Sequence, residues 1–371
     1  MSGKPFVSII NPIRNVERTI EKCLQSLIEL DYPRESLEFI FADGGSTDST
    51  LRILEDWKKI YPQVVIVSVP NCKSPGQARN AALKIARGDY ILFTDGDCIV
   101  RKDWVDKILE VFLKDKKIGM VGGEIFTHRT DKNNNVEAYC EETGFLSVSG
   151  RCRMKAAGYY PNIEKWLPHE VNGNIDSPFF ATANAAVSKV AADAIGREFW
   201  HEITNEDVDF SIRINKKGYR LFYQPSAIVD HMHRVSLKDY CNQLFGYGFG
   251  HPLPVREHTK KVFEICLQYF GYIYIPIPFF VRGVLYIGNF HLMHIFGVLF
   301  LVQLILGLPA NISGLLFLFF TFLYFKPVFK LNPKTKFLTW AKIRYISNWA
   351  LMRGGFKGMK TWGVFYIESS W

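Results

Sequence analysis

The chain has 371 residues, of which 48% are hydrophobic and 22% charged, and this composition excludes intrinsic disorder as a description of the whole chain. Its seven cysteines contain no CxxC pair, which disfavours a zinc ribbon or a disulfide scaffold. The net charge of +9 is concentrated at one end, since residues 326–371 hold nine basic side chains and one acidic one. A basic tail behind an apolar block is typical of a membrane surface and argues against a nucleic-acid partner.

The first 125 residues alternate short apolar runs with segments of helical periodicity. Strands are predicted at 7–11, 38–42, 64–69 and 90–94. Strands separated by helices of this length indicate right-handed βαβ units and a mostly parallel sheet. Residues 126–175 lack clear periodicity, and we expect them to form an irregular excursion that faces the substrate.

An uncharged block follows, and it predicts a transmembrane hairpin over 284–325. Its first part, 284–308, is 25 residues long without Asp, Glu, Lys or Arg, and 311–325 is the expected return. Basic residues on both sides place both flanks in the cytoplasm, which predicts two crossings and a cytoplasmic catalytic domain. The alternative is a buried core helix.

The segments around this hairpin are also expected to meet the membrane. Residues 251–283 are predicted as a linker with an interfacial or re-entrant run, broken by Pro276 and Pro278. Residues 326–371 are predicted as a basic amphipathic tail in the interface, whose end Gly354 and Gly355 weaken. Its apolar stripe is predicted at Leu338, Tyr345, Trp349, Met352 and Phe356.

Two motifs carry groups that suit a nucleotide. ADGGSTD places Asp43 directly after the second strand, where a carboxylate can accept hydrogen bonds from a base or ribose. Helix capping is the alternative role for this motif, and Asp48 is the expected cap. SPGQARNAAL begins a helix in which Arg79 could reach a phosphate, or could lie on a solvated face.

Two further motifs carry carboxylates. FTDGDC places Asp95 and Asp97 after the fourth strand, where they repel each other unless a cation or donor lies between them. A hard divalent ion such as Mg²⁺ or Mn²⁺ binds such carboxylates together with diphosphate oxygens. TNEDVDFSIRI places Glu206 and Asp207 before a helix, either as caps or as functional groups. A sugar hydroxyl that acts as a nucleophile needs a general base, and Asp207 is the best candidate.

Together these motifs resemble the family 2 glycosyltransferases with a GT-A fold, over roughly residues 5–250. The resemblance is strongest to membrane-anchored members that build exopolysaccharides and lipid-linked glycans. It implies an α/β catalytic domain over 1–250, with a Rossmann-like, mostly parallel sheet flanked by helices, followed by a C-terminal α-helical membrane region.

The resemblance also implies roles for individual residues. The implied donor site consists of Pro12, Arg14, Asp43, Gly76, Arg79 and Asp95. Pro12, Arg14 and Asp43 line the base pocket. Asp97 holds Mg²⁺ or Mn²⁺, and Asp95 touches the ribose or the metal. Asp207 is the base of an inverting displacement, and Glu206 helps to place the acceptor.

The segment after the last motif carries two histidines and a glycine repeat. His231 or His233 could complete the metal shell or contact the diphosphate, with a structural role as the alternative. The repeat Gly246, Gly248 and Gly250 predicts close backbone packing. Processive members of the family that this sequence resembles, such as cellulose and hyaluronan synthases, carry Gln-x-x-Arg-Trp after the catalytic Asp. No such string follows Asp207, so the resemblance favours transfer of a single sugar over polymer synthesis.

The sequence therefore predicts a metal-dependent, inverting hexosyltransferase of glycan or polysaccharide biosynthesis. Its expected donor is a nucleotide-diphosphate sugar. Its expected acceptor is a membrane-associated saccharide linked to a polyprenyl or dolichyl lipid. One alternative is a polyprenyl-phosphate monoglycosyl synthase, whose phosphate acceptor needs no general base. Another is a non-catalytic membrane scaffold with a glycosyltransferase-like fold.

Overall fold

The computed structural model describes residues 3–152, 154, 156–160, 179–258, 263–267 and 282–368. The later part of the predicted excursion and the two prolines of the predicted re-entrant run lie outside the described residues. The strands are β1 (Val7–Ile13), β2 (Leu37–Asp43), β3 (Val64–Ser68), β4 (Tyr90–Phe93), β5 (Cys98–Val100), β6 (Ile118–His128), β7 (Gly158–Tyr159), β8 (Ala185–Ser188), β9 (Arg220–Met232), β10 (Phe263–Leu267), β11 (Gly283–Ile287) and β12 (Phe365–Ile367).

Thirteen α-helices are present in the described residues. They are α1 (Ile20–Ile28), α2 (Thr50–Ile60), α3 (Pro75–Ile85), α4 (Trp104–Lys114), α5 (Asn135–Thr143), α6 (Val148–Cys152), α7 (Lys189–Ala194), α8 (Glu206–Lys216), α9 (Leu237–Gly250), α10 (Pro252–His258), α11 (Asn289–Ile305), α12 (Asn311–Phe325) and α13 (Phe337–Trp362). The chain forms two compact units: the first contains the described residues within 1–132 and 144–233, and the second those within 133–143 and 234–368.

The first unit is built on a sheet of nine strands with the order β3-β2-β1-β4-β8-β6-β9-β5, and β7 pairs with β9. Strands β1 to β4 pair in parallel, as the alternation of strands and helices predicts. The prediction of a mostly parallel sheet is wrong beyond β4, because β8 lies antiparallel between β4 and β6. In the described residues the sheet is mixed, with four parallel and four antiparallel pairings.

The predicted irregular excursion contains regular structure. Its first residues continue strand β6, and the helices α5 and α6 follow. The strand β1 shows why the sheet forms, because Val7, Ile9 and Ile10 are fully buried between the layers of helices. Asp43 and Asp95 both come at or just after the carboxyl ends of parallel strands, so the same edge of the sheet collects the polar motifs.

The second unit departs from the predicted transmembrane hairpin. The run 284–308 is not one helix, because residues 283–287 form β11, which pairs in parallel with β10 and β12. Val284 of that strand is buried in a small core together with Val255, Val364 and Tyr366. The helix that remains, α11, has 17 residues. At ~1.5 Å per residue it is shorter than the roughly 30 Å hydrocarbon core of a bilayer.

One described helical segment, Asn311–Lys330, is long and apolar enough to cross a membrane, and 17% of its apolar window is buried. The prediction of two crossings, and hence of a multi-pass protein, is therefore not supported. The structure thus favours the second apolar run, 311–325, as the membrane-spanning helix, whereas the sequence favours the first run, 284–308.

The tail forms one 26-residue helix, α13, with a buried face that differs from the predicted stripe. Leu338 and Phe356 are exposed, whereas Trp340 and Leu351 are buried. Gly354 does not weaken the helix, because it lies where α9 crosses α13. A Cβ atom at Gly354 would collide with the carbonyl oxygen of Phe245, and one at Gly248 with that of Leu351. The predicted close backbone packing of the glycine repeat is thus confirmed at Gly248.

Candidate active site

Two loops form one wall of the site by hydrogen-bonding each other reciprocally. The backbone N–H of Asn15 donates to Ser46 Oγ at 2.9 Å, and Asn15 Oδ1 accepts from the N–H of Thr47 at 2.8 Å. Glu17 N–H donates to Asp48 Oδ2 at 3.1 Å. Asn15 has a φ of 54°, in the left-handed region that asparagine tolerates better than most residues. The loops after β1 and β2 are therefore held rigidly together.

Residues predicted for the base pocket lie at the ends of the same two strands. Ile13 is in register with Asp43, and Pro12 with Ala42. The Asp43 carboxylate accepts hydrogen bonds from the N–H groups of Gly45 and Ser46, each at 3.1 Å, and the residue is 2% exposed. This carboxylate is fixed by its own turn, so its direction is set before any ligand binds.

Arg14 extends from this wall to a residue that the sequence does not single out. Its Nη1 donates to the carbonyl oxygen of Cys72 at 3.3 Å, and Cys72 also approaches Gly44. Cys72 therefore lies beside two residues at the ends of β1 and β2, where the base pocket is predicted. It follows β3 without a motif of its own, so no pattern in the chain indicates this position.

The helix α3 carries a buried arginine into the centre of the site. Ser74 caps the helix, and its Oγ accepts from the N–H of Gln77 at 3.3 Å. The Arg79 guanidinium donates from Nη2 to Asp95 Oδ1 at 2.8 Å and from Nη1 to Glu206 Oε1 at 2.7 Å. Burial acts to lower the pKa of Arg79, but the charges of Asp95 and Glu206 outweigh it and raise that pKa.

The structure brings most of a metal site together at the start of β5. Asp97, Cys98 and His231 offer ligand atoms within 4.8 Å of one another, and His231 Nε2 lies 3.4 Å from Asp97 Oδ1. The sheet causes this proximity, because Cys98 and His231 are paired residues of β5 and β9. His231 Nδ1 is buried with no hydrogen-bond partner among the described residues.

The donor set fits a hard divalent cation. The Asp97 carboxylate is the kind of oxygen ligand that Mg²⁺ and Mn²⁺ prefer, and the His231 imidazole adds a nitrogen ligand beside it. Asp97 and His231 would therefore hold Mg²⁺ or Mn²⁺. Burial raises the pKa of the Cys98 thiol, and the charge of Asp97 raises it further. Burial and the charge of Asp97 also raise the pKa of Asp95, a repulsion that a bound cation would relieve.

The two histidines have different surroundings. Their ring centroids are 4.8 Å apart, but His233 Nε2 lies 2.9 Å from Thr127 Oγ1. His231 therefore faces Asp97, whereas His233 is oriented by β6.

The predicted catalytic carboxylates begin α8. Asn205 precedes them with a φ of 54°, and this left-handed residue turns the chain into the helix. Asp209 is committed to Arg213 at 2.7 Å, and Arg213 also bonds the carbonyl oxygens of Ile195 and Glu198. These bonds anchor α8 and leave Glu206 and Asp207 at its start, with Asp207 partly exposed.

A second anchor ties α3 to the chain just before α8. The Asn80 side chain accepts from the N–H of Phe199 at 2.7 Å and donates to its carbonyl oxygen at 2.9 Å. A Cβ atom at Gly76 would lie 3.1 Å from Glu206 Cβ, so this glycine permits the close approach. The predicted donor residue Gly76 is therefore placed beside the catalytic motif.

The fold and this constellation define a glycosyltransferase of the GT-A class. Residues 8–196 match the model of glycosyl transferase family 2, just over half of the chain. The chain therefore belongs to the glycosyl transferase family 2, whose members transfer a sugar from a nucleotide-sugar donor. The expectation of a glycosyltransferase enzyme is thus confirmed.

Archaeal relatives match over most of the chain. A dolichyl N-acetyl-alpha-D-glucosaminyl phosphate 3-beta-D-2,3-diacetamido-2,3-dideoxy-beta-D-glucuronosyltransferase of Methanococcus voltae is 27% identical over 76% of this chain and 83% of its own length. Glycosyltransferase AglE of Haloferax volcanii is 25% identical over 62% of this chain and 68% of its own. The mannosyltransferase PcManGT of Pyrobaculum calidifontis, solved with GDP-Man and Mn²⁺, has a TM-score of 0.50 at 17% identity. That structure covers 96% of this chain and 88% of its own, and it is similar in fold.

Proposed function

We propose that this enzyme transfers a single sugar, with inversion, from a nucleotide-diphosphate sugar to a lipid-linked saccharide at a membrane surface. The observation that carries the proposal is the Arg79 bridge, which joins Asp95 at the donor side to Glu206, the neighbour of Asp207. The first unit thus holds the candidate cation ligands and the candidate general base, Asp207, close to the buried guanidinium of Arg79.

The proposed reaction assigns a task to each group. The acceptor hydroxyl gives its proton to the Asp207 carboxylate while its oxygen forms a bond to the anomeric carbon. The bond from that carbon to the diphosphate breaks, and the nucleoside diphosphate leaves with the electron pair. Asp97 and His231 would hold Mg²⁺ or Mn²⁺, and the cation supplies neutralisation of the leaving diphosphate. Asp43, fixed by its turn, accepts hydrogen bonds from the base or ribose.

The surface of the second unit supports an acceptor in the membrane. Leu315, Leu318 and Phe322 of α12 are more than half exposed, as are Val298 and Leu301 of α11. No Asp, Glu, Lys or Arg occurs from residue 283 to residue 325. An apolar surface of this kind is suited to contact with lipid. An enzyme held at the membrane by such a surface would encounter a lipid-linked acceptor by diffusion in the plane of that membrane.

The turn between α11 and α12 is also compatible with an apolar environment. The N–H groups of Leu306 and Leu308 donate to the carbonyl oxygens of Val302 and Gln303, and the next residue, Pro309, has no N–H. At the C-terminal end of α12, Lys326 and Lys330 are exposed, where they can meet anionic headgroups. The relative from Methanococcus voltae carries a dolichyl phosphate in the name of its substrate, which agrees with such an acceptor.

The test compares two acceptors with the full-length enzyme in detergent. With a lipid-linked saccharide, Asp207→Asn is expected to lower kcat by about 10²–10⁴, because the hydroxyl loses its base. Asp193→Asn, a half-exposed carboxylate of α7, is the matched control and is expected to be neutral. A chain that uses polyprenyl phosphate, with near-normal activity in Asp207→Asn, would instead be a polyprenyl-phosphate monoglycosyl synthase.

A further inference from the structure

The guanidinium of Arg79 occupies an unusual position in the first unit. The residue is 3% exposed, and each of its two terminal nitrogens is bonded to a different carboxylate. Its Nε is buried and has no hydrogen-bond partner among the residues that the structure describes. Because the two terminal nitrogens are the ones that have carboxylate partners, Asp95 and Glu206 determine how this guanidinium is oriented.

The two carboxylates belong to parts of the chain with different tasks. Asp95 follows β4 and lies two residues from Asp97, on the side of the cation-type donor set. Glu206 starts α8 and is directly followed by Asp207. The helix α3 also contacts the chain around α8 through the Asn80–Phe199 pair and the approach of Gly76 to Glu206. Two ion pairs of Arg79 therefore connect Asp95, near the expected donor, to Glu206, the neighbour of the candidate base Asp207.

Electrostatics makes this link more than a packing contact. Asp95, Asp97, Glu206 and Asp207 are four acidic groups in one region, and Arg79 is the cation that bonds two of them. Removing one partner of a buried ion pair leaves the other as an uncompensated charge, which costs far more than the pair itself contributes. Without Arg79, Glu206 at the start of α8 is expected to move away from Asp95 or take up solvent, and Asp207 moves with Glu206.

We propose that Arg79 is a positioning residue, which sets the place of Asp207 relative to the donor by holding Glu206 against Asp95, and that it is not a phosphate ligand. This inference rests on the proposed function, in which Asp207 accepts the proton. The two roles of Arg79 make opposite predictions. A phosphate ligand controls the affinity for the nucleoside diphosphate, whereas a positioning residue controls kcat and leaves that affinity in place.

The kinetic test uses Arg79→Lys, because one ammonium keeps the charge but cannot bond both carboxylates in the fixed fork of a guanidinium. The expected result is a fall in kcat for transfer and for donor hydrolysis of about 10²-fold, the size that a small misplacement of a catalytic group can cause. Donor KM, and the Kd for UDP or GDP with Mn²⁺ by calorimetry, are expected to stay within about threefold. A loss of nucleotide affinity of tenfold or more at near-normal kcat would overturn the proposal.

Glu206→Gln is the second variant, and it keeps the shape of the side chain if Arg79→Lys folds poorly. It is expected to reproduce the same kcat loss with the same nucleotide affinity. The double variant is expected to be no worse than either single one, since both break one link. Additive losses in the double variant would contradict the proposal.

A structural readout separates this inference from the function on which it rests. Hydrogen exchange of the full-length protein, without metal or nucleotide, is expected to speed up in residues 204–210 of Arg79→Lys while the thermal midpoint stays close to wild type. Unchanged exchange in this segment would overturn the positioning role whatever the activity. If the wild type hydrolyses donor but fails to use lipid-linked acceptors, the proposed acceptor is wrong, and the hydrolysis kcat and exchange data still decide the role of Arg79.

Discussion

The two units use polar and apolar side chains in opposite ways. In the first unit, charged groups such as Arg79, Asp43 and Asp209 are buried and paired at strand and helix ends. In the second unit, the long apolar side chains of α11 and α12 are exposed. Buried charged side chains at the edge of a sheet are typical of an active site. Exposed Leu and Phe side chains are typical of a surface that contacts lipid. The contrast agrees with the proposed function, in which the first unit carries the reaction and the second meets the membrane.

The largest expected effect tests the lipid surface. Leu315→Lys places a charge on α12 at a position that is 68% exposed. If this face enters hydrocarbon, the change costs about 3 kcal/mol and lowers binding to anionic vesicles by tenfold or more in a flotation assay.

The control for this variant is Ile60→Lys on α2, which is 70% exposed in the first unit and is expected to leave vesicle binding unchanged. Equal binding of Leu315→Lys and wild type would show that the exposed face of α12 does not enter the membrane.

A smaller effect is expected where helices α9 and α13 cross. Gly354→Ala puts a Cβ atom against the carbonyl oxygen of Phe245, and such overpacking typically costs about 1–3 kcal/mol in the free energy of unfolding. Gly246→Ala, in the glycine repeat of α9, has no atom within 4 Å of the new Cβ and is expected to stabilise that helix by about 0.5–1 kcal/mol. Thermal unfolding in detergent distinguishes them, and equal midpoints would contradict the crossing.

Asn205 in the first unit provides a test in which the free energy of unfolding is expected to change by about 1 kcal/mol. Because its φ is 54°, Asn205→Ala must hold a strained backbone that costs roughly 1–2 kcal/mol, whereas Asn205→Gly adopts it freely. We expect the alanine variant to lose stability and kcat together, and the glycine variant to keep both. If both variants behave alike, the left-handed turn does not direct Glu206 and Asp207.

A pH dependence is expected at Tyr32, which is buried and donates to the carbonyl oxygen of Pro5 at 2.6 Å. Burial raises the pKa of Tyr32 to about 12. Because the neutral form is favoured in the folded state, its contribution to stability is complete below pH ~10 and is lost as the pH rises towards 12. Tyr32→Phe should remove that part of the alkaline loss seen by denaturant titration, and an unchanged alkaline profile would contradict it.

Local signals predict the first four strands and the polar groups at their ends. Asp43, Asp95 and Asp97 follow apolar runs, and parallel strands bring such ends to one edge. The antiparallel strand β8 has no such signal, because its four residues, Ala185–Ser188, are too short and small to show a period. The pairing of Arg79 with Glu206 spans 127 residues, and no local pattern carries it.

In the apolar block of the second unit, the composition is clear from the sequence but the type of secondary structure is not. Absence of charge identifies the apolar block, but it cannot distinguish a strand from the start of a helix. Gly283–Ile287 becomes a strand because β12, from the end of the chain, pairs with it. For the same reason Gly354 predicts a weak helix locally, whereas the crossing with α9 requires a residue without a side chain.

The most direct test of the central claim is donor hydrolysis by the full-length enzyme across a panel of nucleotide sugars, with Mn²⁺, Mg²⁺ or EDTA. We expect slow, metal-dependent release of one nucleoside diphosphate, abolished by EDTA and in Asp97→Ala but retained in Asp193→Asn. Release that is unaffected by EDTA and equal in Asp97→Ala and wild type would contradict a cation held by Asp97 and His231.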